Sequence, residues 1–94
     1  MPIRVLVYGK LGDGAAYAAL NQVRALIRDM RIEATAQIIT DEAQLRMNGI
    51  DTPPAVSVDG LMVSNGWVPS RGELTSALQQ RQQAINASHI TERM

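Results

Sequence analysis

The chain has 94 residues, 46% of them hydrophobic, which is enough apolar material for one small folded domain. Nine basic and nine acidic residues leave a formal net charge of zero, so electrostatics give no case for nucleic acid or an anionic membrane as a partner. Because the chain has no cysteine, it cannot form disulfides, supply thiolate metal ligands or carry out thiol–disulfide exchange, which requires a thiolate.

The first third of the chain predicts a strand, a glycine-rich loop and a helix. Residues 3–8 are largely apolar on both alternating faces, as in a central strand covered on both sides. Three glycines between positions 9 and 14 break the strand. Apolar residues then recur at helical spacing over 14–30. Asp13 is the expected N-cap, because its carboxylate can accept hydrogen bonds from free amides of the first turn.

The middle of the chain predicts a second strand and a short helix. Residues 32–39 alternate again, and a strand, a helix and a strand in this order form a crossover with parallel strands. The next segment, 41–48, predicts a short helix with Thr40 or Asp41 as its cap. Gly49 is its stop signal.

The last part predicts a hairpin and a final helix. An Asp-Gly pair at positions 59 and 60 separates two short apolar runs, and both residue types tolerate the positive φ of a tight hairpin turn. Ser70 and Glu73 have the spacing of a capping box that opens the helix. We expect a folded domain over residues 1–83 and a helical extension or flexible tail over 84–94.

Two motifs carry a family resemblance. Residues 54–60 read Pro-Ala-x-x-Val-Asp-Gly, and residues 66–70 read Gly-x-x-Pro-Ser before the last helix. Their order and spacing resemble the small thioredoxin-like or glutaredoxin-like disulfide reductases. The resemblance implies an α/β, thioredoxin-like fold with the element order β-α-β-α-β-β-α. It also implies a four-stranded mixed sheet with helices on both faces.

The chain departs from this family where the family's chemistry lies. Family members carry Cys-x-x-Cys after the first strand, whereas here that loop has no cysteine and one extra residue. The two lost cysteine positions are therefore Gly12 and Ala15, or Asp13 and Ala16. The resemblance thus implies a degenerate member without catalytic residues. We find no acid–base pair or activated nucleophile elsewhere in the sequence.

A second departure concerns the substrate groove. The resemblance implies that Pro54 is the family's cis-proline, which shapes that groove. Family members hold an extended substrate with the backbone N–H and C=O of the preceding residue. Here that residue is Pro53, which keeps the acceptor but has no donor.

The candidate binding groove joins the altered redox loop to the cis-proline turn. Its members are Gly12, Asp13, Gly14, Ala15, Pro53, Pro54, Gly66 and Trp67. Both parts of the groove also have an explanation that involves no binding. The glycine loop would then be a remnant of the redox loop, and Trp67 would be a rim residue that covers the end of the hairpin. His89 has no second ligand at a recognisable spacing, so we interpret it as a solvated tail residue.

The sequence therefore favours a non-catalytic, thioredoxin-like module that binds a protein, a peptide or a second copy of itself. The alternative is a small-molecule role, in which the groove holds a thiol or an anion. We expect no cofactor, no metal, no nucleic acid and no membrane as partner. With no leader or membrane-spanning segment in the sequence, a cytoplasmic location is the default expectation.

Overall fold

The computed structural model describes residues 2–92, with side chains as far as residue 87, so the interpretation of the His89 side chain lies outside the described residues. The described part of the chain forms four strands and three helices. In chain order they are β1 (Ile3–Tyr8), α1 (Gly14–Met30), β2 (Ala34–Ile39), α2 (Glu42–Met47), β3 (Ala55–Val58), β4 (Leu61–Asn65) and α3 (Arg71–Glu92).

The strands form one sheet in the order β2-β1-β3-β4. β1 and β2 are parallel, whereas β3 is antiparallel to both of its neighbours, β1 and β4. This arrangement confirms the predicted element order and the predicted mixed sheet. The parallel pair is joined through α1, which supplies the long connection that parallel strands need.

The main core lies between the sheet and one helical layer made of α1 and α3. Its fully or nearly fully buried side chains are Ile3, Val5, Val7, Ala16, Ala19, Leu20, Val23, Leu26, Val56, Val58, Leu74 and Leu78. Each buried leucine or valine stabilises the fold by about 2 kcal/mol relative to an exposed one. Leu74 and Leu78 of α3 thus anchor the last helix to the sheet.

Among the elements that the structure describes, only α2 lies on the opposite face of the sheet. Leu45 of α2 and Ile50 pack against Tyr8 and Ala55, at the ends of β1 and β3. Helices therefore cover both faces, as predicted. Because α2 has only six residues, it covers one end of this face and leaves the other end open.

The predicted helix caps are confirmed. Asp13 accepts from the amide of Ala15 at 3.0 Å, and Asp41 caps α2 in the same way. Ser70 and Glu73 exchange two reciprocal hydrogen bonds of 3.1 Å at the start of α3. These contacts satisfy amides that a helix start leaves without intrahelical partners.

The second strand begins two residues later than the alternation predicts, at Ala34 instead of Ile32. The reason lies at the end of α1. Arg31 adopts a left-handed φ of 55°, and the Ile32 amide donates to the carbonyl of Ile27. Ile32 therefore belongs to the helix-ending turn, which alternation of apolar residues does not reveal.

The β3–β4 hairpin is closed by Asp59 and Gly60, which both have positive φ, at 47° and 86°. The Asp59 carboxylate accepts from the Arg4 amide at 2.7 Å and from the Arg81 guanidinium at 2.6 Å. Burial raises the pKa of Asp59, but these two hydrogen bonds and the positive charges of both arginines outweigh burial and leave the pKa below its ordinary value. This carboxylate therefore ties the turn to β1 and to α3.

Replacing Asp59 with asparagine is expected to weaken the fold at pH 7 and to flatten its response to acid. Asparagine also tolerates the positive φ of this turn, so the variant loses mainly the ion pair between Asp59 and Arg81. For a partly exposed ion pair, this lowers the free energy of unfolding by on the order of 1 kcal/mol. A depressed native pKa stabilises the fold above the unfolded pKa of about 3.9, and this stabilisation is lost as the pH falls through the native value. Urea unfolding at pH 7 and at pH 3 measures both effects.

Asp29→Asn is the matched control, because Asp29 forms a more exposed ion pair with Arg71 at 3.4 Å. We expect little change in the free energy of unfolding for this variant at either pH. Equal acid sensitivity of Asp59→Asn and the unaltered protein would contradict the role given to Asp59.

Candidate functional site

The loop between β1 and α1 presents an apolar side chain to solvent. The amide of Gly9 donates to the carbonyl of Ile39 at 3.1 Å, and the amide of Asp13 donates to the carbonyl of Lys10 at 3.0 Å. These bonds fold residues 10–13 into a tight turn, with Gly12 at a φ of 83°. Leu11 lies at its tip with 83% of its surface exposed.

The segment before β3 lies beside the end of β4. The Pro53–Pro54 peptide bond is cis, and the carbonyl of Pro54 accepts from the amide of Gly66 at 2.9 Å. Gly66 has a φ of 107°, and a Cβ at this position would lie 3.5 Å from the carbonyl oxygen of Thr52. Trp67 follows directly and is 50% exposed.

Two adjoining depressions separate the β1–α1 loop from the residues before β3. They have volumes of about 370 and 410 Å³ and share Lys10, Leu11, Asp51 and Pro53. We call the two together the proline groove. Its further lining residues are Gly12, Asp13, Thr40, Glu42, Leu45, Arg46, Ile50 and Thr52.

The structure places the predicted site residues in three groups. Gly12, Asp13 and Pro53 line the proline groove. Pro54 and Gly66 are hydrogen-bonded to each other beside it. The other three lie outside the lining: Gly14 and Ala15 in the first turn of α1, and Trp67 after Gly66.

Sequence reasoning missed nine of the twelve residues that line the proline groove. Four of the nine flank the glycine loop and the proline pair along the chain, namely Lys10, Leu11, Asp51 and Thr52, and this adjacency was the signal that could have identified them. An exposed leucine at a loop tip has no periodicity to mark it, so its position only becomes visible once the loop is folded.

Charges along the proline groove are mixed. Lys10 and Arg46 are basic, and Asp13, Glu42 and Asp51 are acidic. The carboxylate of Asp13 is held by the amide of Ala15, so it already occupies the start of α1. The groove thus offers little attraction for an anion at this helix terminus.

A family comparison adds to this geometry. A family model described as a thioredoxin domain matches residues 5–79. The chain belongs to the thioredoxin domain family. The match spans β1 to the first half of α3 and includes both the loop and the proline turn of the groove. A comparison with curated proteins gives no match.

This thioredoxin domain has no cysteine at the position of the family's redox pair. Of the two candidate positions for the first lost cysteine, Gly12 has a φ of 83°, and Asp13 is the N-cap of α1. A helix N-terminus stabilises a thiolate, and in this chain the N-terminus of α1 holds the carboxylate of Asp13.

Among the described residues, no group of three or more histidine, cysteine, aspartate or glutamate side chains could hold a metal ion. Within residues 2–92, no helix is both long enough and apolar enough to cross a bilayer.

Proposed function

We propose that this chain is a non-catalytic thioredoxin domain that binds an extended protein segment in the proline groove. The observation that carries the proposal is the placement of Leu11 and Trp67. Leu11 lines the groove together with Pro53. Trp67 directly follows Gly66, whose amide donates a hydrogen bond to the carbonyl of Pro54. Both large apolar side chains are at least half exposed.

Leu11 and Trp67 are two of the large apolar side chains that the fold leaves exposed, and both belong to segments that border the proline groove. Exposed apolar surface rimmed by polar residues is typical of interaction sites. Large side chains such as tryptophan contribute most of the binding energy at many protein interfaces. Around Leu11 the rim is polar, formed by Lys10, Asp51 and Thr52. The surface therefore has the composition of a small peptide-binding site.

The proline pair determines how a peptide would be held. Pro53 has no backbone N–H, so one donor that an added strand needs is missing at this position. Affinity must then come from side chains that contact Leu11 and Trp67 more than from backbone pairing. We infer that the ligand is selected for an apolar side chain.

The proposal predicts that the pure protein does not reduce insulin, with or without dithiothreitol as the external reductant. The chain has no thiolate to attack a disulfide, so turnover should equal that of a blank with the same reductant. Precipitation of the insulin B chain, followed by turbidity, measures this activity. Turnover above the blank would contradict the proposed loss of redox chemistry.

The alternative, binding of a small thiol or an anion, has less support. The start of α1 is occupied by Asp13, and the groove carries three acidic side chains against two basic ones. A titration with glutathione tests it directly. The expected result is no saturable change in the emission of Trp67, which is the chain's single tryptophan.

Selection from a random peptide library tests the proposed function. Peptides are selected on the immobilised domain, and their affinity is then measured in solution from the emission of Trp67. Leu11→Ser should lose at least tenfold in affinity. Leu61→Ser is the matched control, because Leu61 is 71% exposed but lies at the other end of β4. Equal loss in both variants, or peptides that bind Leu11→Ser as well as the unaltered domain, would reject the groove.

A further inference from the structure

The end of the sheet face that α2 leaves open forms a second groove, away from Leu11 and Trp67. It has a volume of about 770 Å³, within the range of small-molecule sites. The residues that define it are Arg4, Leu6, Tyr8, Thr35, Ser57 and Met62. We call it the sheet-face groove. It does not depend on the proposed peptide site.

Ser57 is the first feature that points to a ligand. Its neighbours Val56 and Val58 belong to the main core, so alternation along β3 turns Ser57 toward the open face. The residue is only 3% exposed, and its hydroxyl has no hydrogen-bond partner among the described residues. Buried polar groups are normally hydrogen-bonded, so a buried hydroxyl without a partner calls for one.

Charge is the second feature. Arg4 and Asp59 are the charged residues along this groove. The charge of Asp59 is matched by Arg81, whose guanidinium lies 2.6 Å from it. The guanidinium of Arg4 forms no ion pair within the described part of the chain. Arg4 and Arg81 carry two positive charges near the single negative charge of Asp59, so one positive charge is in excess at the Arg4 end of the groove.

The strand register places the arginine and the hydroxyl within reach of one anion. Leu6 is paired with Ser57, and Arg4 lies two residues before Leu6 on the same face. Such diagonal neighbours have Cα atoms about 7–8 Å apart, which an arginine side chain spans. Beyond this pair, the apolar part of the lining consists of Leu6 and the ring of Tyr8 on one side and Met62 on the other, while Thr35, Asn48 and Asp59 supply its polar part.

We propose that the sheet-face groove binds a small amphipathic carboxylate, with its carboxylate at Arg4 and Ser57 and its apolar body along Leu6 and Met62. The positively charged guanidinium of Arg4 pairs with the ligand carboxylate, and the hydroxyl of Ser57, which has no partner among the described residues, donates a hydrogen bond to it. Met62 is flexible and unbranched, so it can adapt to the ligand that covers the hydroxyl.

The test compares three ligands with the same ten-carbon chain, namely decanoate, decyltrimethylammonium and decanol. The two charged compounds are titrated into the full chain below their micelle concentrations, and decanol is titrated below its solubility limit, with calorimetry and amide chemical shifts as readouts. Decanoate should bind saturably with one site and shift amides of β1, β3 and β4. The ammonium compound and the alcohol should bind at least tenfold more weakly. Equal binding of decanoate and the ammonium compound would overturn the proposal.

Variants of Arg4 and Ser57 give the second arm. Arg4→Gln keeps the backbone bonds of Arg4 and should weaken decanoate binding at least fivefold, and Ser57→Ala should weaken it at least threefold. The controls are Arg28→Gln, an exposed arginine on α1, and Ser64→Ala, whose hydroxyl is equally buried and unpartnered but lies opposite Val56 of the main core. Both should stay within twofold of the unaltered chain.

Two results would overturn the carboxylate site. One is full decanoate affinity in Arg4→Gln. The other is the absence of saturable decanoate binding, and a dimer in sedimentation would then indicate a second copy as the occupant. Amide spectra of each variant verify that it has kept the fold.

Discussion

Replacing Gly9 with alanine is expected to lower the free energy of unfolding by about 2 kcal/mol or more. Gly9 is buried where β1 meets α1, and a Cβ at this position would overlap the Cβ of Ala16. Ala16 is itself fully buried in the main core, so β1 and α1 cannot easily move apart to make room for the added methyl group. A thermal melt should show a loss of about 10 °C for a domain of this size.

Gly14→Ala is the matched control, because it makes the same chemical change five residues later. Within the described part of the chain, and apart from its chain neighbours and the backbone of its own helix, no atom lies within 4 Å of a Cβ at Gly14, which is the first residue of α1. Here alanine should stabilise the fold by up to about 1 kcal/mol, since it restricts the unfolded chain and favours the helix.

A double variant tests the contact itself. Gly9→Ala combined with Ala16→Gly moves the methyl group across the interface, so its loss should be smaller than the sum of the two single losses by about 1 kcal/mol or more. Additive losses would contradict the close packing of β1 on α1.

Truncating Trp67 to alanine is expected to weaken binding of a selected peptide at least tenfold while leaving the melting temperature nearly unchanged. Half of the Trp67 surface is exposed, and the ring belongs to neither hydrophobic cluster of the described residues, so we expect the fold to depend little on it. A peptide that covers this ring would bury its exposed apolar surface, which favours binding. Truncation of such an anchor typically costs about 2 kcal/mol of binding free energy. Calorimetry measures the affinity, because the variant has no tryptophan emission.

Trp67→Phe is the conservative control and should retain most of the affinity, because an aromatic ring stays in place. Two results would count against the anchor role. Full affinity in Trp67→Ala would place the peptide elsewhere. A melting temperature lower by many degrees would show that Trp67 supports the end of the hairpin, which is the structural interpretation of this residue.

Most of the fold follows from local chemistry that a sequence displays. Asp13 and the pair Ser70 and Glu73 mark helix starts, because their side chains are of the types preferred for capping. Asp59-Gly60 marks the hairpin because few residue pairs accept two positive φ angles. The one strand boundary that alternation misplaced, at Ile32, depends on a hydrogen bond back to Ile27 that local polarity does not reveal.

The candidate sites follow from the sequence less completely, because they depend on which surfaces the helices leave uncovered. Leu11 and Ser57 illustrate the difficulty. An exposed leucine and a buried serine both run against average preferences, and only the packed structure shows which side of the sheet each one faces. The Gly-rich loop and the proline pair were the parts with a sequence signal, and they locate the groove without giving its lining.

A chemical-shift map of the domain with a selected peptide shows whether this thioredoxin domain without thiols uses its proline groove to bind protein segments. The largest amide shifts are expected in residues 10–15, 51–52 and 66–68, with saturation at one peptide per chain. Largest shifts in α3 or in the exposed edge of β4, or shifts spread evenly over the sheet, would contradict this use of the groove.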